Sequence, residues 1–183
     1  MFGLVVRKLD MTQLPFEGTA SAVTLARIPS LRVAQIKAAA TDGYDAVVLE
    51  AFDNDRVLIR REIRVPAGSL KAGDLVSGDV LKDVKSVDIT AVSKGLGFTG
   101  AMKRHNFAGG PGRVGSKFHR ALGSTGMRKP RRTKPGKKMH GQCGDATLTI
   151  KGVKVVAVDA AKGVVALKGP IPGGRNTWFT ISF

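Results

Sequence analysis

The chain has 183 residues, of which 30 are Lys or Arg and 14 are Asp or Glu, so its formal net charge is +16. No apolar run approaches the roughly 18 residues that a membrane-spanning helix needs, which excludes a membrane-spanning protein. A hydrophobic content of 43% excludes a chain that is disordered throughout, because it can supply a buried core.

Short β-strands are predicted along most of the chain. At 57–65 apolar Val57, Ile59 and Ile63 alternate with charged residues, which is the period of a half-buried strand. Turn residues separate such runs, as at 41–43, 161–163 and 169–174. The predicted strands are residues 3–7, 22–28, 31–37, 46–52, 57–65, 84–92, 147–151, 153–158, 164–168 and 179–183. No stretch has the period of a long amphipathic helix, so the pattern predicts a mainly β fold, a barrel or a sandwich, of which a small closed barrel also hides its edges.

Residues 94–144 differ from the rest of the chain in composition. They hold 12 of the 23 glycines and three of the eight prolines, and their apolar residues follow no period. Between Asp88 and Asp145 lie 56 residues without a carboxylate but with 13 Lys or Arg, whereas the remaining residues carry only +3. An irregular stretch of this length buries too little surface to offset its ordering entropy, and it is usually functional or disordered. We therefore expect a nearly neutral body, residues 1–92 and 145–183, and a basic extension, residues 93–144.

The charge of the extension points to a polyanionic partner. Seven of the 11 residues from Arg128 to Lys138 are Lys or Arg, and they repel one another unless an acidic partner neutralises them. Phe98, Phe107 and Phe118 are interleaved and can stack on bases or anchor the extension. RNA fits best, because its grooves and irregular junctions accept an extended peptide, whereas a solvated basic loop or a localisation signal explains only a short charged run.

The candidate RNA-binding residues are the cations, for phosphates, and nearby polar side chains, for sugars, phosphates or base edges. They are Lys94, Lys103, Arg104, His105, Asn106, Arg113, Ser116, Lys117, His119, Arg120, Ser124, Arg128, Lys129, Arg131, Arg132, Lys134, Lys137, Lys138, His140 and Gln142.

A glycine motif at 95–100 offers a competing hypothesis. Gly95, Gly97 and Gly100 match the dinucleotide fingerprint G-x-G-x-x-G and follow a predicted strand. The fingerprint also needs a helix next and an acid about 20 residues further on. The glycines at 109–112 argue against that helix, and no acid precedes Asp145. The sequence therefore favours a flexible junction, and a small β-barrel enzyme that binds a nucleotide or flavin is the weaker alternative.

His140 and Cys143 are three residues apart, but they do not complete a metal or catalytic site. A structural zinc site needs four ligands, and the other candidates, His105, His119 and Asp145, lack paired spacing. A cysteine nucleophile needs a rigidly oriented base, which a glycine-rich loop does not provide. The sequence thus predicts no catalytic residue, no metal site and no cofactor.

Six motifs occur in the order of a known family. The chain opens with MFGLVVRKLDMT, where Asp10 replaces a glycine usual in the family. The others are DVKSVDITAVSKGLGFTG at 83–100, KRHNF at 103–107, GSTG at 123–126, GKKMHG at 136–141 and KGPIPG at 168–173. Together they resemble the universal large-subunit ribosomal protein L-three family over nearly the whole chain. Typical bacterial members insert a further segment between the strands near Phe52 and Leu58, so this chain resembles a compact variant.

The resemblance implies a β-barrel of the translation-protein type that docks on large-subunit ribosomal RNA near its 3′ domain. It further implies an internal extension that reaches toward the peptidyl transferase centre, a role in early subunit assembly, neighbouring ribosomal proteins as partners, and no catalysis, membrane or small-molecule substrate. The residues leave open a free assembly or translation factor that visits RNA. The first residues lack signal-peptide and transit-peptide patterns, and the single cysteine fits a reducing compartment, so we expect the cytoplasm, with an organellar ribosome as the alternative.

Overall fold

The computed structural model describes residues 3–54, 56–66, 68 and 70–183, and these are mainly β-strand. The strands are β1 (Gly3–Phe16), β2 (Thr19–Arg27), β3 (Ser30–Lys37), β4 (Ala46–Asp53), β5 (Arg56–Ile63), β6 (Leu75–Val76), β7 (Ser86–Val92), β8 (Gly97–Thr99), β9 (Gly141–Cys143), β10 (Thr147–Asp159), β11 (Val164–Lys168) and β12 (Trp178–Ser182). Helical structure in the described residues is limited to α1 (Ala39–Asp42), α2 (Ala101–His105) and a 3₁₀ turn (Gly78–Leu81). The predicted mainly β fold class is confirmed.

Six strands close into a barrel in the order β1-β12-β7-β10-β11-β2, and every pair is antiparallel. The first and last strands are neighbours, with Gly3 opposite Ser182. In β12 the alternation that predicted the strand is observed, because Phe179 and Ile181 are buried while Thr180 between them is only half-buried.

A second antiparallel sheet, β5-β4-β3-β6, shares one hydrophobic core with the barrel. Leu4, Val5 and Val6 of β1 are all fully buried, although successive side chains of a strand point to opposite faces. Both faces of β1 are therefore covered. Ile63 of β5 packs beside Gly3, where an added Cβ would lie 2.7 Å from the isoleucine side chain.

Several element boundaries differ from the sequence predictions. The predicted strand 3–7 continues to Phe16 past a register shift between Lys8 and Met11. The predicted strands 147–151 and 153–158 form the single strand β10, because Gly152 donates its N–H to Asp88 Oδ1 (2.8 Å) at the irregularity. The turn residues at 41–43 end a four-residue helix instead of forming an open turn.

The hairpin between β4 and β5 is short, as the sequence predicts. Asp53 and Arg56 are paired in the ladder, so only two residues separate the strands. This tight connection is consistent with a compact variant.

The chain divides into two compact units, which we call the barrel unit (Met1–Ser93 with Thr147–Phe183) and the basic unit (Lys94–Ala146). In the barrel unit Val92 of β7 pairs with Thr147 of β10. The basic unit is therefore an insertion between two paired strands. In the described part of the chain, no helix has the length and apolar character needed to cross a membrane.

Candidate nucleic-acid interface

The basic unit begins and ends in a two-stranded ribbon that the sequence did not predict. β8 pairs with β9, with Gly97 opposite Cys143 and Thr99 opposite Gly141, and the Leu96 N–H donates to the Cys143 carbonyl (2.9 Å). Gly144 follows with φ of +76°, and a Cβ there would overlap the carbonyl of Lys94. Only glycine fits at this close backbone approach.

A single helical turn, α2, follows the glycine motif. The glycines at 109–112, which argue against the helix that the fingerprint needs, lie beyond this five-residue turn. The dinucleotide context is still not met. β8 belongs to an antiparallel ribbon, α2 has five residues, and no acid follows before Asp145.

Three candidate RNA-binding residues also hold the basic unit together. Arg104 Nη1 donates to the Met139 carbonyl (3.0 Å), and His105 Nε2 lies 3.1 Å from the same oxygen. Asn106 ends α2 in the left-handed conformation (φ 58°) and donates its N–H to Met102 O (2.9 Å). Arg104 is exposed, and because a guanidinium has five N–H donors it keeps others for a ligand.

Glycines in the middle of the basic unit make room for Phe118. A Cβ on Gly110 would overlap the Phe118 ring, and one on Gly123 would lie 3.2 Å from it. The Gly110 N–H donates to His119 O (2.7 Å), and the Phe118 N–H donates to Ser116 Oγ (3.1 Å). This region thus has local packing of its own, within the irregular segment that the sequence predicted.

The three interleaved phenylalanines differ in their exposure. Phe98 is 74% exposed, and its ring centroid lies 5.5 Å from that of His140. Phe107 is half-buried beside His105, and Phe118 packs against the glycines. Phe98 with His140 is therefore the pair best placed to stack on a base.

Every Lys and Arg of the basic unit is solvent-exposed. All seven ion pairs found among the described residues lie in the barrel unit, so none of these 13 cations has an ion-pair partner there. Among the seven other candidate residues, His105 and Ser116 are half-buried, and the exposed ones are Asn106, His119, Ser124, His140 and Gln142. The structure therefore presents a cationic surface without internal counterions.

The stretch from 125 to 137 encloses a cavity of about 150 Å³ rimmed by Lys129, Arg132, Lys134 and Lys137. Met127 lines it and is 83% exposed, and Val114 elsewhere in the basic unit is fully exposed. The candidate residues were chosen by charge and polarity, so they include neither Met127 nor Val114. The only feature of the sequence that marks these two residues is their apolar character within a glycine-rich cationic segment. Among the described residues no three metal-ligating side chains lie together.

Comparison with known proteins identifies the family of the chain. The model of the family described as ribosomal protein L3 matches residues 69–175. The chain is similar to proteins named large ribosomal subunit protein uL3. The protein of Borrelia hermsii is 38% identical, and the alignment covers 99% of this chain and 96% of the relative. The protein of Kosmotoga olearia is 39% identical with coverages of 96% and 94%, and that of Borreliella burgdorferi is 37% identical with coverages of 99% and 98%. These alignments extend over 200 to 203 residues, more than this chain contains, so the relatives carry insertions relative to it. The chain therefore belongs to the ribosomal protein L3 family.

Proposed function

We propose that this protein is a structural constituent of the large ribosomal subunit and that its basic unit binds large-subunit ribosomal RNA. One observation carries the proposal: 13 exposed cations lie in one unit and have no ion-pair partner among the described residues. Contact with a polyanion lowers the mutual electrostatic repulsion of such a surface. The relatives' names, which place them in the large subunit, indicate which polyanion.

The chemistry of the interface is neutralisation of phosphates, with a smaller number of base contacts. The Lys and Arg side chains contact phosphates, and the polar candidates His119, Ser124 and Gln142 hydrogen-bond to sugars or base edges. Phe98 and His140 stack on an unpaired base. The barrel unit serves as the platform near the 3′ domain of the RNA, and the basic unit reaches toward the peptidyl transferase centre.

In this role the protein orders RNA during early subunit assembly and catalyses no reaction. Its partners are large-subunit RNA and neighbouring ribosomal proteins, and its cellular location is that of the ribosome that contains it. Sucrose-gradient fractionation tests this role against that of a free assembly or translation factor. We expect one copy per large subunit after a high-salt wash, whereas a free factor is released into the soluble fraction.

Deletion of Lys103–Lys138 tests the part assigned to the basic unit. Thr99 and Gly141 are paired, so the deletion leaves a five-residue hairpin loop, a length common between antiparallel strands. We expect a folded barrel, shown by an unchanged circular dichroism spectrum in the β region, and loss of salt-sensitive binding to large-subunit RNA. In the control, the exposed barrel-unit residues Lys85 and Lys151 are replaced by Gln, with binding retained. Equal affinity of the deletion variant and the intact chain would refute the assignment.

A further inference from the structure

We propose that the barrel unit carries a second RNA contact, separate from the basic unit, in a cleft that takes an unpaired nucleotide of single-stranded RNA. This inference rests on the proposed function and assigns it a further site. Two adjoining cavities of about 570 and 60 Å³ share Arg27, Pro29, Ser30 and Phe52. The smaller one is also lined by Arg7 and Trp178, from barrel strands β1 and β12.

The cleft has two arginine–aromatic pairs. The guanidinium carbon of Arg7 lies 5.8 Å from the centroid of the Trp178 ring, and that of Arg32 lies 5.6 Å from the centroid of the Phe52 ring. The two pairs come from different sheets, and both rings line the same small cavity. Flat guanidinium and aromatic surfaces are those on which proteins stack unpaired bases.

Arg27 supplies the free positive charge of the cleft. The ladder places it opposite Arg7, which is itself opposite Trp178, so the three residues form one row across β2, β1 and β12. Arg27 is exposed, and among the described residues no hydrogen bond, ion pair or ring contact occupies its guanidinium. It is therefore available to the phosphate of a nucleotide whose base lies against the rings.

Arg32 is held in position by a buried carboxylate. Glu50 is 3% exposed, and its two oxygens accept contacts from Arg32 Nη2 (3.1 Å) and Arg60 Nη2 (3.3 Å). One arginine would neutralise this carboxylate, so the second leaves an excess positive charge along the row Arg32–Glu50–Arg60. Because both guanidiniums remain about half exposed or more, they keep donors for a ligand.

The charge balance of the cleft favours RNA over an acidic peptide or an apolar ligand. Three cations, Arg7, Arg27 and Lys162, line the two cavities together with a single carboxylate, Asp53. A positive charge excess alone would suit any anion. The aromatic rings paired with arginines add an affinity for nucleotide bases, and an acidic peptide has no such bases to stack on them.

Trp178 is the only tryptophan of the chain, so its fluorescence reports on this cleft. The intact protein is titrated with a ten-nucleotide single-stranded oligouridylate carrying a fluorophore, and total binding is followed in parallel by anisotropy. We expect saturable quenching of Trp178. Arg27→Glu should raise the RNA concentration for half-quenching by about tenfold, because it replaces attraction by repulsion at one phosphate. The matched control Arg61→Glu, also an exposed arginine without an ion pair, should leave it unchanged.

The outcomes separate this inference from the proposed function. RNA binding by anisotropy without a change at Trp178, or equal effects of the two variants, overturns the cleft and leaves the basic unit as the RNA-binding site. Absence of binding in both signals overturns the cleft, whereas the proposed function is overturned only by the deletion and fractionation experiments with large-subunit RNA. Quenching by a ten-residue oligoglutamate at a lower concentration than by the RNA overturns the cleft as a nucleotide site, since it indicates a protein partner.

Discussion

Several carboxylates of the barrel unit form ion pairs with lysines, and these contacts lower the pKa values of the carboxyl groups. Glu62 accepts a hydrogen bond from Lys37 Nζ (2.6 Å), which also donates to the Tyr44 hydroxyl (2.8 Å). The bond from Lys37 lowers the pKa of Glu62, and the same contact raises the pKa of Lys37. Hydrogen bonds from Lys154 and Lys82 likewise lower the pKa values of Glu17 and Asp79. The cations of the basic unit have no such partners among the described residues.

The Lys37–Glu62 pair should make stability depend on pH in the acid range. Because the folded-state pKa of Glu62 lies below its ordinary value of 4.5, its contribution is present above that pH and is lost as the pH falls through the lower folded-state value. Glu62→Gln should therefore give a shallower loss of the free energy of unfolding below pH 4.5, measured by urea denaturation. Lys37→Met should flatten the curve in the same direction, because it removes the contact that lowers the pKa of Glu62 most. Parallel curves for the intact protein and both variants would contradict the assignment.

At the scale of elements, the ribbon β8–β9 depends on Gly144. Its φ of +76° and the nearby Lys94 carbonyl leave no room for a side chain. Gly144→Ala should loosen the ribbon, so that the Leu96 amide, which bonds to Cys143 O, exchanges with solvent at least about fivefold faster, as about 1 kcal/mol of backbone strain implies. Gly112→Ala is the control, because a Cβ there meets no atom within 4 Å and its φ lies outside the positive region. Equal exchange at Leu96 in the two variants would show that Gly144 is dispensable.

The elements that could be predicted from the sequence are those with a local pattern. Alternation predicted β12, where Phe179 and Ile181 are buried between more exposed residues. The same period predicted β5, although there only Ile63 is buried and Val57 is exposed. β8 and β9 have three residues each, and their pairing joins positions more than 40 residues apart, so no local signal marks them. For the candidate site, the run of charge predicted which cations are exposed. It could not predict that Arg104 and His105 share the Met139 carbonyl, because that contact depends on how the two ends of the segment meet.

At the scale of the whole molecule, positive charge is concentrated in one unit, and this determines how binding should respond to salt. The basic unit has 13 cations and one carboxylate, Asp145, whereas the barrel unit has nearly balanced charge. Each phosphate that a cation neutralises releases a counterion, which contributes roughly 0.7 to 0.9 to the log–log slope of affinity against salt concentration. Replacing Arg128, Arg131 and Arg132 by Gln should therefore reduce the slope for large-subunit RNA by about two units between about 50 and 200 mM salt, measured by filter binding.

A matched variant distinguishes this local effect from a general loss of charge. Arg61, Lys85 and Lys151 are three exposed cations of the barrel unit, and their replacement by Gln removes the same net charge. We expect that variant to keep the slope within about half a unit, because its cations lie outside both proposed RNA contacts. Equal reductions in the two triple variants would mean that net charge, and not the placement of the cations in the basic unit, determines binding. A reduction of the slope in the Arg128, Arg131 and Arg132 variant alone requires direct phosphate contacts by that segment. The two variants have the same net charge, and long-range attraction is screened within about 10 Å at 0.1 M salt, so net charge cannot explain a difference between them.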